Sequence, residues 1–108
     1  MTLVVGLGTG RCGTASLAAL LCRQHGCEVT HERYGAAVRW GAPAPLWALR
    51  LWQETAASGH QVAGDVAFYW LPQLDWLLSE ADRTGRDVRV IGLRRPLEET
   101  VESYAAWV

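Results

Sequence analysis

The stretch that most constrains the fold is Leu3 to Leu21, LVVGLGTGRCGTASLAALL, because its pattern changes twice within a short span. Val4 and Val5 are β-branched within an apolar run, which predicts a buried strand. Gly6, Gly8, Gly10 and Gly13 then predict a turn whose backbone accepts positive φ and lets a ligand approach main-chain N–H groups. Thr14 and Ser16 open a helix-period run, with Leu17, Leu20 and Leu21 as its apolar stripe and Ala15, Ala18 and Ala19 small enough for close packing on a sheet. A strand, a glycine turn and a helix N-terminus aim unpaired N–H groups and the positive end of the helix dipole at one point. The stretch therefore predicts an anion site, with phosphate as the expected anion.

The remaining chain repeats the alternation. Gly26 caps the first helix, and CEVT from Cys27 to Thr30 predicts a second strand ending at His31 and Glu32. Arg33 to Ala44 is rich in glycine and proline and predicts an irregular segment over the carboxyl ends of the strands. Pro45 starts a helix through Ser58, with Leu46, Trp47, Leu49, Leu51 and Trp52 as a broad apolar face and Gly59 closing it. A third strand is expected around Gln61 to Gly64, ending at Asp65. Pro72 fits the first position of the next helix, where Leu74, Leu77, Leu78 and Ala81 recur at helical spacing before Gly85. Asp87 to Leu93 predicts a fourth strand. Arg94, Arg95 and Pro96 form a turn into a last helix with Leu97, Thr100, Val101, Tyr104 and Val108 as its buried stripe. Strands alternating with helices imply parallel pairing and right-handed crossovers, hence a three-layer α/β domain with a mainly parallel sheet over residues 1–108. The last helical pattern is still running at Val108, so the expectation is a longer domain cut short, its N-terminal half present.

Composition narrows the partners. A formal net charge of -1 gives no electrostatic drive toward nucleic acid or an acidic membrane. No apolar run reaches membrane-spanning length, and the apolar start lacks a basic leader and a cleavage site, so a cytoplasmic protein is expected. Cys12, Cys22 and Cys27 form an odd set without C-x-x-C spacing, which argues against a disulfide framework and a zinc site. Cys12 beside Arg11 at a helix N-terminus has some thiolate character, but Ala18 stands where arginine-bearing phosphatase loops need their arginine. No His, Asp or Glu cluster has metal spacing.

Three glycine-loop patterns compete for the anion site. A Walker loop would align Gly8 with Gly13, but Thr14 and Ala15 stand where its lysine and magnesium-binding hydroxyl belong. Gly8-Thr9-Gly10-Arg11-Cys12-Gly13 also satisfies G-x-G-x-x-G, with Glu32 at the distance of a ribose-binding acid, which makes a dinucleotide-binding oxidoreductase domain a rival. Against that, Arg11 is bulky where the backbone must approach pyrophosphate.

GTGRCGTASLAALL followed by VTHE, and VRVIGLRRPLEETVESY after the fourth strand, together resemble the sulfotransferase family that uses 3'-phosphoadenosine 5'-phosphosulfate. The first segment is similar to the family's 5'-phosphosulfate loop, G-x-x-R-x-G-T-x-S-L. The second is similar to its 3'-phosphate motif, an arginine followed eight residues later by a serine, as in Arg95 and Ser103. The resemblance implies a P-loop-like fold and a cofactor site made of Gly10, Arg11, Cys12, Gly13, Thr14, Ala15 and Ser16 at one end and Arg95 and Ser103 at the other. Arg94 is an alternative to Arg95. Arg11 offers a fork of donors where many members carry a lysine.

Sulfuryl transfer is an in-line displacement that needs positioning, charge stabilisation and a base near the acceptor. Glu32 is the first candidate base, His31 the second and Asp65 the third, all at expected strand ends; Arg11 is the expected charge stabiliser. The acceptor is a small molecule or carbohydrate of undetermined identity. Trp40, Trp47, Trp52 and Trp70 are candidates to line its site, or else simply pack the core. The family's C-terminal glycine-rich segment lies beyond Val108, which implies either a non-catalytic nucleotide-binding fragment or a second chain, a copy of this one or another, that completes the site.

Overall fold

In a computed structural model of the chain, the described residues are 1–8, 13–35, 45–94 and 97–107, without the side chains of Pro45, Leu97, Thr100, Ser103, Tyr104 and Trp107. The elements run β1 (Thr2–Leu7), α1 (Thr14–Cys22), β2 (Cys27–His31), α2 (Pro45–Ala57), β3 (Val62–Val66), a 3-10 helix (Phe68–Gln73), α3 (Leu74–Thr84), β4 (Asp87–Gly92) and α4 (Leu97–Trp107). The four strands form one parallel sheet in the order β2-β3-β1-β4.

Side-chain alternation along the strands divides the sheet into two faces. Leu3 and Val5 of β1 pack with Ala48 and Leu51 of α2, Leu77 of α3, and Tyr69 and Trp70 of the 3-10 helix. On the opposite face Ala18 of α1 packs on Val29 of β2 and Val66 of β3, with Leu17 and Leu21 beside it. The result is three layers, with α1 on one face and α2 and α3 on the other, as a parallel sheet covered on both sides requires. The chain crosses from β1 to β2 over one face and returns through β3 to β4 over the other, which keeps every crossover of one hand.

Small residues let the layers close. A Cβ on Gly6 would lie 2.6 Å from a methyl of Val66, so the end of β1 accepts no side chain on the α1 face. Arg86 fastens the other end of the molecule: its guanidinium donates to the Trp52 carbonyl at 2.9 Å and the Thr55 hydroxyl at 2.8 Å, and it stacks over the Trp52 ring at 4.6 Å. Burial holds the Arg86 pKa below its usual value, and among the described residues its guanidinium meets a carbonyl, a hydroxyl and a π-face but no acidic side chain.

The expected helical stripes are only partly the buried ones. In α2 the buried positions are Ala48, Leu51 and Thr55, with Trp47 and Trp52 half-buried, while Leu46 and Leu49 face solvent. Leu20, Leu78 and Val101 are likewise exposed, at positions expected to be covered. In α1 and α2 a small residue, Ala18 or Ala48, packs on the sheet, and in α3 Leu77 takes that place, which leaves the apolar neighbours turned outward. Pro72 lies inside the 3-10 helix rather than opening α3, which begins at Leu74. A short 3-10 segment tolerates its missing N–H, and Tyr69 and Trp70, both buried, anchor the turn. The third strand runs through Asp65 to Val66 instead of stopping before it, a shift with consequences for the site.

Candidate functional site

The carboxyl ends of the strands gather most of the polar groups that the sequence singled out. β1 and β3 are neighbours whose following helices lie on opposite faces, the kind of topological switch point outside whose carboxyl ends open α/β sheets bind ligands. Gly13 ends the loop leaving β1 with φ 95°, in the left-handed region, and caps α1 without a side-chain hydrogen bond. Its carbonyl already accepts from the Leu17 N–H at 2.9 Å, so α1 is wound from its first turn. Among the described residues the N–H groups of that turn have no partner, as at any helix start that offers them to solvent or a ligand. A Cβ on Gly13 would touch nothing within 4 Å among the described residues. Gly13→Ala is therefore expected to cost only the left-handed strain, about 1–2 kcal/mol in a urea titration.

Thr14 does not cap α1, as its type would suggest. It is buried, and its Oγ1 lies 3.0 Å from Nε2 of His31, the last residue of β2. The odd-numbered positions of β2 face α1, which is why His31 meets Thr14 while Thr30 turns to the opposite face. His31 is exposed, as are Ala15 and Ser16 on α1. Four predicted cofactor residues, Gly13 to Ser16, and one predicted base are thus gathered at one helix end.

Glu32 follows at φ 47°, an uncommon backbone state for a residue with a side chain. Backbone bonds hold it there: its N–H donates to the Val66 carbonyl at 3.0 Å, and its carbonyl accepts from the Gly35 N–H at 2.8 Å. It acts electrostatically on Tyr69, which belongs to the α2 and α3 face.

Asp65 is the clear correction. Expected at a strand end facing the crevice, it sits within β3 paired with Val5 and Thr30, and it has no exposed surface. Its Oδ1 accepts from the Thr30 hydroxyl at 2.6 Å and the Arg33 N–H at 3.0 Å, and its Oδ2 from the Trp70 indole N–H at 2.7 Å. Burial pushes its carboxyl above the usual carboxylate range, against the downward pull of these donors. A fully buried group that accepts three hydrogen bonds inside the core organises the site from beneath and does not reach an acceptor. Sequence spacing missed this because a shift of one or two residues at a strand end moves a carboxylate from mouth to floor.

The neighbouring phenols are also structural. Burial, helped by Glu54, pushes Tyr34 up to about 12, and burial raises Tyr69 further still, so both stay protonated near neutrality. The Tyr69 hydroxyl accepts from the Tyr34 N–H at 2.9 Å, fixing the turn after Glu32 to the 3-10 helix. Arg33 bonds Glu54 of α2 at 2.9 Å and lies 3.7 Å from Glu28. Of the tryptophans, Trp70 is fully buried, Trp47 stacks on Tyr34 at 5.1 Å, and Trp52 meets Trp76 edge-on at 6.2 Å. They pack the core rather than line an open acceptor surface.

At the other motif, Leu93 donates its N–H to the Leu7 carbonyl at 2.8 Å, extending the β1–β4 pairing to the last residue before Arg94. Arg94 is exposed there. Gly10, Arg11, Cys12, Arg95 and Trp40, and the side chain of Ser103, lie outside the described residues. Among the described residues no group of three His, Cys, Asp or Glu side chains is placed to hold a metal ion, and no helix is long and apolar enough to cross a membrane.

Comparison of the chain with protein-family models, with curated proteins and with solved structures finds no match. The fold is established by its own geometry: a small parallel α/β domain. Its strand order differs from the 3-2-1-4 order of dinucleotide-binding domains, in which the second strand lies next to the first. Here β3 intervenes, so Glu32 is two strand spacings, roughly 10 Å, from the exit of β1.

Proposed function

We propose that this chain binds 3'-phosphoadenosine 5'-phosphosulfate at the carboxyl edge of its sheet and serves sulfuryl transfer to a hydroxyl or amine acceptor. The observation that carries the reading is the adjacency of β1 and β4. The 2.8 Å bond from Leu93 to Leu7 brings the starts of the two family-like motifs, at Gly8 and Arg94, side by side at one edge of the sheet. Two segments separated by most of the sequence thus leave the sheet from neighbouring strands, which suits a ligand charged at both ends.

The described part of the site suits the 5' end of such a nucleotide. The first turn of α1 offers free N–H groups, Gly13 leaves room for a close approach, and Thr14 and Ser16 add hydroxyl donors. When bound, the nucleotide supplies the transferable sulfuryl group. The chain's own residues orient it on the helix dipole, with Arg11 stabilising charge, and place His31 and Glu32 nearby to take the acceptor's proton. Arg94 or Arg95, with Ser103, holds the 3'-phosphate. Binding an acceptor from the cytoplasm, and completion of the site by a second chain, belong to the same proposal. The dinucleotide alternative loses support, since the strand order separates Glu32 from β1.

Isothermal titration of adenosine 3',5'-bisphosphate, NAD and ATP tests the reading. The bisphosphate is expected to bind best, and Arg11→Ala and Arg95→Ala are each expected to weaken it about 10- to 100-fold, the loss of one charge-assisted contact. Preference for NAD, or bisphosphate binding indifferent to both substitutions, overturns it. Transfer of labelled sulfate to a panel of acceptors then separates catalysis from binding.

A further inference from the structure

We propose that the Thr14 hydroxyl sets which ring nitrogen of His31 carries the proton, leaving Nδ1 as the proton acceptor once an anion occupies the start of α1. This rests on the anion-binding reading above and assigns roles within it: Thr14 as a positioning residue, His31 as the group that takes the acceptor's proton.

The contact between Thr14 Oγ1 and His31 Nε2, at 3.0 Å, exists in two forms. Either the hydroxyl donates to a bare Nε2 and Nδ1 is protonated, or Nε2–H donates to the hydroxyl oxygen and Nδ1 is bare. Thr14 is only 5% exposed, and His31 is the one side-chain partner of its hydroxyl among the described residues. An anionic oxygen at the helix start changes the balance, because a charge-assisted hydrogen bond is about twice as strong as a neutral one. The Thr14 proton turns to the anion, the oxygen accepts from Nε2–H, and the lone pair moves to Nδ1. That nitrogen has no hydrogen-bond partner among the described residues, and the ring is exposed. During transfer the acceptor's hydroxyl proton passes to Nδ1 while its oxygen bonds to sulfur. The bond between sulfur and the nucleotide's phosphate oxygen breaks, and its electron pair stays on the nucleotide.

The test is ring ¹⁵N NMR of the full 108-residue chain at about pH 8, where an ordinary imidazole is neutral. Spectra are taken with and without adenosine 3',5'-bisphosphate, and His31→Asn assigns the signals among the three histidines. Amide shifts of Gly13 and Thr14 report binding independently. Saturating bisphosphate is expected to raise the ratio of Nε2-protonated to Nδ1-protonated His31 several-fold in the wild type and in Thr14→Ser, which keeps the hydroxyl. Thr14→Val, close in shape, is expected to show no such change. Binding with an unchanged ratio in the wild type or Thr14→Ser, or an equal change in Thr14→Val, overturns the inference and leaves the binding reading standing. Failure of the wild type to bind overturns both.

Discussion

Gly64→Ala is expected to abolish the folded state or to lower its stability by more than about 4 kcal/mol, the range reserved for a clash inside a packed element. Gly64 lies in the middle of β3, paired with Val4 on one side and Val29 on the other. A Cβ there would overlap the carbonyl of Val4, with the Val4 backbone nitrogen next nearest. Both are main-chain atoms, so no rotamer change relieves the overlap. The strands would have to separate, and the β1–β3 ladder that supports the crevice would open. Soluble yield and a urea transition followed by circular dichroism measure the effect. A variant with the wild-type midpoint would show that β3 is not seated against β1 in this register. Gly13→Ala is the control, since its cost comes from φ alone.

The adjacent residue gives the second large effect, through polarity rather than volume. Asp65→Ala removes the fully buried acceptor of the Trp70 indole N–H, the Arg33 N–H and the Thr30 hydroxyl, of which, among the described residues, only Thr30 keeps another acceptor, the Gly64 carbonyl at 3.2 Å. Each buried donor left unpaired costs about 1–3 kcal/mol, so a total of roughly 3–5 kcal/mol is expected after the neighbours relax. Asp65→Asn should be milder. Its carbonyl oxygen replaces Oδ1 for Thr30 and Arg33, but its amide opposes the Trp70 N–H, at about 1–3 kcal/mol.

The two variants also separate the charge from the contacts. Because burial raises the folded pKa of Asp65 above its unfolded value of 3.8, the folded state binds the proton more readily. Its contribution to stability is therefore fully present below pH 3.8 and is lost as pH rises through the raised folded pKa. Asp65→Asn should flatten that part of the stability profile in urea titrations run across acidic pH. An unchanged profile would mean that Asp65 is not desolvated as its burial indicates.

Much of the architecture is legible from local pattern. Val4 and Val5 in an apolar run, Gly13 before a small-residue helix, Gly85 as the left-handed cap of α3, and Pro45 opening α2 each carry their meaning within a few residues. Gly26, expected to cap α1, instead stands at φ 76° just before β2, and the helix ends at Cys22 with Arg23 as its cap. Which helical positions are buried was less legible. Leu20, Leu46, Leu49 and Leu78 are as apolar as the residues that form the core, and only the proximity of Ala18, Ala48 or Leu77 to the sheet decides against them. Asp65 shows the same limit at the site. Its identity announced a functional carboxylate, while the register of β3 turned it into the buried acceptor that ties Thr30, Arg33 and Trp70 together.

By itself, then, the sequence determined the alternation of strands and helices, the glycine turn that opens α1, and the two motifs that suggest a doubly charged nucleotide. These depend on residues close in the chain, where steric preference and hydrophobic period act directly. The tertiary structure alone decided the order β2-β3-β1-β4, the meeting of Thr14 with His31, and the adjacency of Leu7 and Leu93. Those contacts join residues far apart in sequence, and their geometry follows from which strand fills the centre of the sheet and how closely its glycines let the neighbouring backbones approach.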